Sequence, residues 1–145
     1  MKQKKIIVSA CLLGHNCKYN GGNNYNEKIV SYLKDKEIIE VCPEVMGGLP
    51  VPRKPSEIVN GVVTNTEGIN VDKEFRLGVI KALELIEGQE IDCAILQARS
   101  PSCGTKQIYD GTFTKSLVDG QGLLAEALLE RGIKVIDSEE FFNMK

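Results

Sequence analysis

The chain has no tryptophan, a single histidine (His15) and an odd number of cysteines, five in 145 residues. One imidazole leaves little for a mixed Cys/His zinc site, so any metal is expected to be held mainly by thiolate. An odd cysteine count with no secretory pattern ahead of it argues against a disulfide framework, and reduced thiols are expected instead. Also missing are a run of about 18 apolar residues able to span a membrane and a charged, then apolar, then small signal segment at the start. Basic charge is not in excess: 18 Lys and Arg against 20 Asp and Glu give a formal net charge of -2, and the longest basic stretch is the short Lys2 to Lys5 segment. A nucleic-acid backbone is therefore not expected as a partner. These absences point to a cytoplasmic protein without membrane attachment.

What is present fits one compact unit. At 42% hydrophobic and 26% charged, 145 residues can bury their own core, and residues 1–145 are expected to form a single domain. Four short apolar runs rich in β-branched residues read as buried strands: Ile6-Ile7-Val8, Ile38-Ile39 with Val41, Cys93-Ala94-Ile95-Leu96, and Ile133 with Val135-Ile136. Between them lie helical patterns. Val71, Phe75, Val79, Ala82, Leu83 and Ile86 recur at steps of three and four, predicting a helix from about Val71 to Glu87 with Asn70 as N-cap and Gly88 as stop. A second helix is predicted over Gly122 to Glu130, with Leu123, Leu124, Ala127 and Leu128 inward and Gly132 as terminator. A third starts near Asn26 and uses Ile29, Val30 and Leu33. This alternation predicts an α/β fold, doubly wound and Rossmann-like, around a mainly parallel sheet.

Two stretches break the alternation. Glu57 to Thr64 places two β-branched pairs around Asn60-Gly61, which predicts a small β-hairpin. Gly47 to Pro55 contains Pro50, Pro52 and Pro55 and is expected to be an extended loop of fixed shape. No internal repeat, low-complexity tract or linker marks a domain boundary.

Cys11 follows the first predicted strand, Cys42 ends the second, and Cys103 lies in the Ser100-Pro101-Ser102-Cys103-Gly104 loop after the third. Parallel strands share a carboxyl edge, so these three thiols, far apart in sequence, are delivered to one crevice. Each alone could be a small buried residue. Together they favour zinc with a fourth ligand, an iron-sulfur cluster with one iron left open, or thiol chemistry without metal. Zinc sites usually draw on cysteine pairs about two to four residues apart, and no such pair exists here. The spacing therefore favours a cluster or metal-free thiol chemistry.

The segments Ser9 to Gly14, Cys17-Lys18-Tyr19-Asn20-Gly21, Cys42 to Pro55 and Ser100 to Gly104 together resemble the signature of the 2-thiouracil desulfurase family. The resemblance implies an oxygen-sensitive 4Fe-4S cluster held by Cys11, Cys42 and Cys103, with its fourth iron free to take sulfur from a thiolated nucleobase. It implies Glu44 as the acid/base group and Ser100 as a catalytic polar contact. The reaction so implied is a non-redox hydrolysis of a thiolated pyrimidine, or a similar thioamide, by a C–S bond-cleaving enzyme. Lys18 and Asn20 stand where the family often has Arg and Asp, and Gln97 where it often has Lys. The rival is a non-catalytic sulfur-trafficking module that carries a metal or persulfide on the same thiols.

The other candidates weigh less. Cys17 is close enough to reach the site as a neighbouring thiol or sulfur acceptor, and equally reads as a half-buried turn residue. Arg53, between Pro52 and Pro55, reads either as a contact for a polar ring edge or an anion or as a surface or interface ion pair. Cys93 is expected in the core and His15 in solvent. Tyr109 and Lys106 follow the third cysteine loop and read as pocket or surface residues. Arg53, Lys54 and Arg99 could gather into a local basic patch. Gly120 to Gly122 reads as a helix entry, far short of a dinucleotide fingerprint.

Overall fold

A computed structural model describes residues 4–143. Its elements in chain order are β1 (Lys5–Ser9), a 3-10 turn (Ala10–Leu13), α1 (Glu27–Leu33), β2 (Ile38–Val41), α2 (Pro43–Met46), β3 (Ser56–Val59), β4 (Val62–Asn65), α3 (Asp72–Ile86), β5 (Ile91–Leu96), β6 (Gln107–Tyr109), β7 (Leu117–Asp119), α4 (Leu123–Glu130), β8 (Val135–Asp137) and a closing 3-10 helix (Ser138–Asn143).

The four predicted strands form one parallel sheet in the order β2-β1-β5-β8. Both of its faces are covered, as the β-branched runs require. Ile7, Ala94 and Leu96 point to one side and pack on α3 and α4 through Val79, Ala82, Ile86, Leu124 and Leu128. Ile6, Val8, Cys93 and Ile95 point to the other and meet Ile29 and Leu33 of α1 and Phe141 of the closing 3-10 helix. Burying each such Ile, Leu or Val fully contributes about 1.5–3 kcal/mol, so the sheet and its two helical layers hold the fold together. The chain runs from β1 outward to β2, then returns past β1 to β5. That reversal opens a crevice between the carboxyl ends of β1 and β5, where doubly wound proteins bind ligands.

The helix ends follow local chemistry. Asn26 Oδ1 accepts the Ile29 N–H and caps α1. For α3 the capping position is Val71, one residue later than expected, while Asn70 Oδ1 still accepts the Asp72 N–H. Gly88 and Gly132 both take the left-handed conformation that ends α3 and α4. The buried face of α4 consists of Leu124, Ala125 and Leu128, with Leu123 and Ala127 half-buried. Because α4 meets both β8 and α3, its inward face is turned toward Ala125 compared with the sequence pattern.

The predicted hairpin is β3–β4, with Asn60 at φ 50° and Gly61 at φ 80°, the pair of left-handed residues that a type I′ turn needs. It sits on α3 through Val63, Val71 and Phe75. The stretch from Gly47 to Pro55 is an irregular loop, as its prolines require. Two short elements, α2 and the antiparallel pair β6–β7, were not legible from periodicity. The first is one turn of helix started by Pro43, and the second joins two three-residue strands through a seven-residue loop that opens on Asp110-Gly111, too long for the two-residue turn that such a pair usually marks. No helix among the described residues is long and apolar enough to cross a membrane.

Candidate active site

Three loops bring the site together at the carboxyl edge. Cys11 lies in the 3-10 turn that continues β1. Cys42 occupies the N-cap of α2, directly after β2. Cys103 follows β5 in a loop closed by the Gly104 N–H donating to the Ser100 carbonyl at 2.8 Å. All three, with Cys17, line one cavity of ≈ 540 Å³.

The placement of α2 depends on glycine. A Cβ on Gly78 would fall 1.6 Å from the Pro43 carbonyl oxygen, and one on Gly47 would fall 1.8 Å from that of Glu74. Thus α2 and α3 touch backbone to backbone, and this contact seats the turn that carries Cys42 and Glu44.

The thiols differ in electrostatic setting. A hydrogen bond with the Cys17 thiol lowers Cys11 against the opposing effect of burial, helped by the Asn24 amide, which donates to Cys11 Sγ at 3.5 Å. Cys17 likewise lowers Cys42, to about 7, against burial and with help from the Val45 N–H at the start of α2. As partner to both, Cys17 is itself pushed up, first by Cys11 and then by Cys42. Cys103 is buried, and desolvation pushes it up to about 12 despite the Ser9 and Ser102 hydroxyls. A bound cation would offset that desolvation.

Glu44, on α2, is held from two directions. Its Oε1 accepts Arg53 Nε at 3.1 Å and Arg53 Nη2 at 3.0 Å. Its Oε2 accepts the Ser102 hydroxyl at 3.1 Å. Ser102 Oγ lies 2.9 Å from Ser100 Oγ, which in turn accepts the N–H groups of Ser102 and Cys103, each at 3.1 Å. A polar row therefore runs Ser100, Ser102, Glu44, Arg53 along the cavity wall.

Arg53 forms an ion pair, but with Glu44 inside the cavity wall and not at the surface. Its side chain is only 7% exposed and that of Glu44 16%, so the pair is largely buried. Arg53 Nη2 also donates to the Cys17 carbonyl at 2.9 Å and Nη1 to the Pro50 carbonyl at 3.2 Å, tying the proline loop to the cysteine loop. Of the residues weighed for a basic patch, Arg53 and Arg99 line the same cavity, each paired with a carboxylate, Glu44 and Glu139.

The remaining candidates divide cleanly. Lys18, Gln97 and Tyr109 line the cavity, whereas Asn20 does not and its Oδ1 accepts the Gly22 N–H in a turn. Lys106 pairs with Glu140 and takes no part in the lining. His15 is exposed and bonded to Glu40 at 2.6 Å. Cys93 is buried among the apolar residues that face α1. Gly122 opens α4 beneath the third cysteine loop, where a Cβ would fall 2.5 Å from the Ser102 carbonyl carbon. Ser102 is the site residue that sequence reasoning passed over. The signal for it was its alternation with Ser100 in Ser-Pro-Ser-Cys, which puts two hydroxyls within reach of each other in a tight turn.

These features define a doubly wound α/β protein with a thiol-lined centre at the carboxyl edge of its sheet. The family model for 2-thiouracil desulfurase matches residues 6–140, and the chain belongs to that family. It is 34% identical over 145 residues to the uncharacterized protein YbbK of Bacillus subtilis (strain 168), covering 93% of this chain and 96% of that protein. It also superposes on a solved structure of the [4Fe-4S]-dependent thiouracil desulfidase TudS with a TM-score of 0.90, at 36% identity, over 97% of this chain and 95% of that one.

Proposed function

We propose that this protein is an iron-sulfur-dependent desulfurase that hydrolyses the thiocarbonyl of a small thiolated pyrimidine of the 2-thiouracil type. The observation that carries this reading is the hydrogen-bonded row from Ser100 through Ser102 to Glu44 along the cavity that Cys11, Cys42 and Cys103 line. The family membership supports the substrate class, and the TudS neighbour supports the cofactor.

The donor set fits a 4Fe-4S cluster. Four thiols and no imidazole line the cavity, a soft set suited to iron and sulfide. A multi-iron group can take thiols carried on three separate loops, as Cys11, Cys42 and Cys103 are. Cys11, Cys42 and Cys103 would be its ligands, with Cys17 left as a neighbouring thiol. When bound, such a cluster supplies a Lewis acid with high affinity for a thiocarbonyl sulfur.

The chain's own residues supply the rest. Glu44 takes a proton from water at Oε2, the oxygen turned toward Ser102, and returns it as the tetrahedral adduct collapses. Arg53 keeps the carboxylate in one orientation by holding Oε1. Ser100 presents its hydroxyl to the ring or to the attacking oxygen. Water oxygen replaces sulfur on the ring carbon and sulfur departs as hydrosulfide, so no oxidant or reductant is consumed. The five free thiols support a reduced, cytoplasmic setting, and we read residues 1–145 as one domain.

The test is anaerobic purification with analysis of iron, acid-labile sulfide and zinc, followed by incubation with free 2-thiouracil. Iron and sulfide near four each per chain are expected, lost in Cys11→Ser, Cys42→Ser and Cys103→Ser but kept in Cys93→Ser. Catalytic sulfide release should accompany them. Bound metal without turnover would favour a carrier instead.

A further inference from the structure

We propose that Phe113 is the face on which the cavity stacks the flat ring of its substrate, and that Glu57 is the positioning residue that sets Phe113 there. The inference rests on the reading of the cavity as a pyrimidine site.

Phe113 lies in the loop between β6 and β7 and lines the same cavity as the cysteines. Its φ is 60°, and Lys115, two residues on, is at 64°. Left-handed backbone is natural for Gly or Asn but strained for a bulky aromatic residue, and it persists only where the surroundings impose it. Here they do. Glu57, a buried carboxylate on β3, accepts the Gly111 N–H at 2.9 Å and the Phe113 N–H at 3.2 Å through one oxygen, Oε1. Gly111 passes so close to β3 that a Cβ would fall 2.6 Å from the Ile58 carbonyl oxygen. Asp110 Oδ1 stiffens the turn further by accepting both the N–H and the hydroxyl of Thr112.

The two hairpins are far apart in sequence and belong to separate small sheets. One buried carboxylate joins them at the cavity, an arrangement that stability alone does not call for, since glycine at 113 would relieve the strain. What the strained position gains is an aromatic ring on the cavity wall. The other aromatic linings are less suited to stacking: Tyr19 is 43% exposed, and Tyr109 carries a polar hydroxyl. Phe113 is the apolar ring of the three, and stacking on it tolerates a sulfur or oxygen substituent because it reads only the π-face.

The absence of tryptophan gives a direct readout. In the anaerobically purified protein, Phe113→Trp creates the one tryptophan, at the site, which can be excited apart from the four tyrosines. Uracil, which carries no sulfur to release, should quench it saturably. The quenching should vanish in Phe113→Trp/Glu57→Ala and return in Phe113→Trp/Glu57→Gln, where an amide oxygen still accepts both N–H groups. With 2-thiouracil, Phe113→Ala and Glu57→Ala should raise KM about tenfold or more, with kcat changed far less. Glu57→Gln, whose amide oxygen still accepts both N–H groups, should restore the KM that Glu57→Ala loses. Quenching by uracil without any sulfide release would support the stacking while removing the desulfurase reading. Sulfide release by Phe113→Ala with wild-type KM, or a tryptophan that uracil does not quench, would overturn the stacking and leave the desulfurase reading in place.

Discussion

Arg53 grips Glu44 by a single oxygen: Nε at 3.1 Å and Nη2 at 3.0 Å both reach Oε1, which leaves Oε2 for Ser102. Since both side chains are largely buried, removing one partner strands the other. Arg53→Ala should therefore destabilise the protein by about 3–5 kcal/mol, the range for breaking a buried pair. The double variant Glu44→Ala/Arg53→Ala should cost less than the sum of the two single changes. Urea denaturation of the four proteins checks this, and simple additivity would show that the two side chains do not depend on each other.

Ser102 links Ser100 to Glu44. Ser102→Ala should keep its iron and acid-labile sulfide but lose kcat by tenfold or more, with KM little changed. Glu44→Ala should lose on the order of 10²–10⁴, the usual worth of a general acid/base. Steady-state kinetics on loaded variants with matched iron content separates these outcomes from cluster loss.

The thiols make a pH prediction for the metal-free protein. Cys42 is held at about 7 chiefly by its hydrogen bond with Cys17, so much of it is thiolate near neutrality. Cys17→Ala removes that bond, and the Cys42 value should climb back toward the ordinary 9.0. Alkylation of Cys42 by iodoacetamide, followed by mass spectrometry across pH, should show its midpoint rising and its rate at pH 7 falling several-fold. An unchanged profile would mean that Cys17 does not set the thiolate.

Gly78 tests the seating of the site. Its missing side chain lets α3 touch Pro43, where a Cβ would sit 1.6 Å from a carbonyl oxygen. Although alanine is the better helix former by about 1 kcal/mol, Gly78→Ala should lower the melting temperature and weaken cluster retention, because α2 must shift with Cys42 and Glu44 upon it. A stabilised variant with full iron content would contradict this account of the crossing.

Much of the frame was legible from residues alone. The β-branched runs named the four sheet strands, and Asn60-Gly61 named the β3–β4 turn, because both signals are local. The convergence of Cys11, Cys42 and Cys103 was also legible, since it follows from parallel strands sharing one edge. That Arg53 would form an ion pair was among the readings of its loop, but its partner and its depth were not legible, because burial is a property of the whole fold and nothing near Pro52 and Pro55 indicates that Glu44 will lie against it. Ser102 and Glu57 were missed for a related reason. Each acts through a partner more than 50 positions away, Ser102 on Glu44 and Glu57 on Phe113, and no local pattern carries such pairings.

The most direct test of the central claim is turnover of 2-thiouracil by the anaerobic, iron-loaded protein in water enriched in oxygen-18, with sulfide and the pyrimidine product measured together. Hydrolysis predicts many equivalents of sulfide per chain and uracil carrying one labelled oxygen, with both lost in Glu44→Ala. No sulfide beyond one equivalent, or uracil formed without the label, would contradict it.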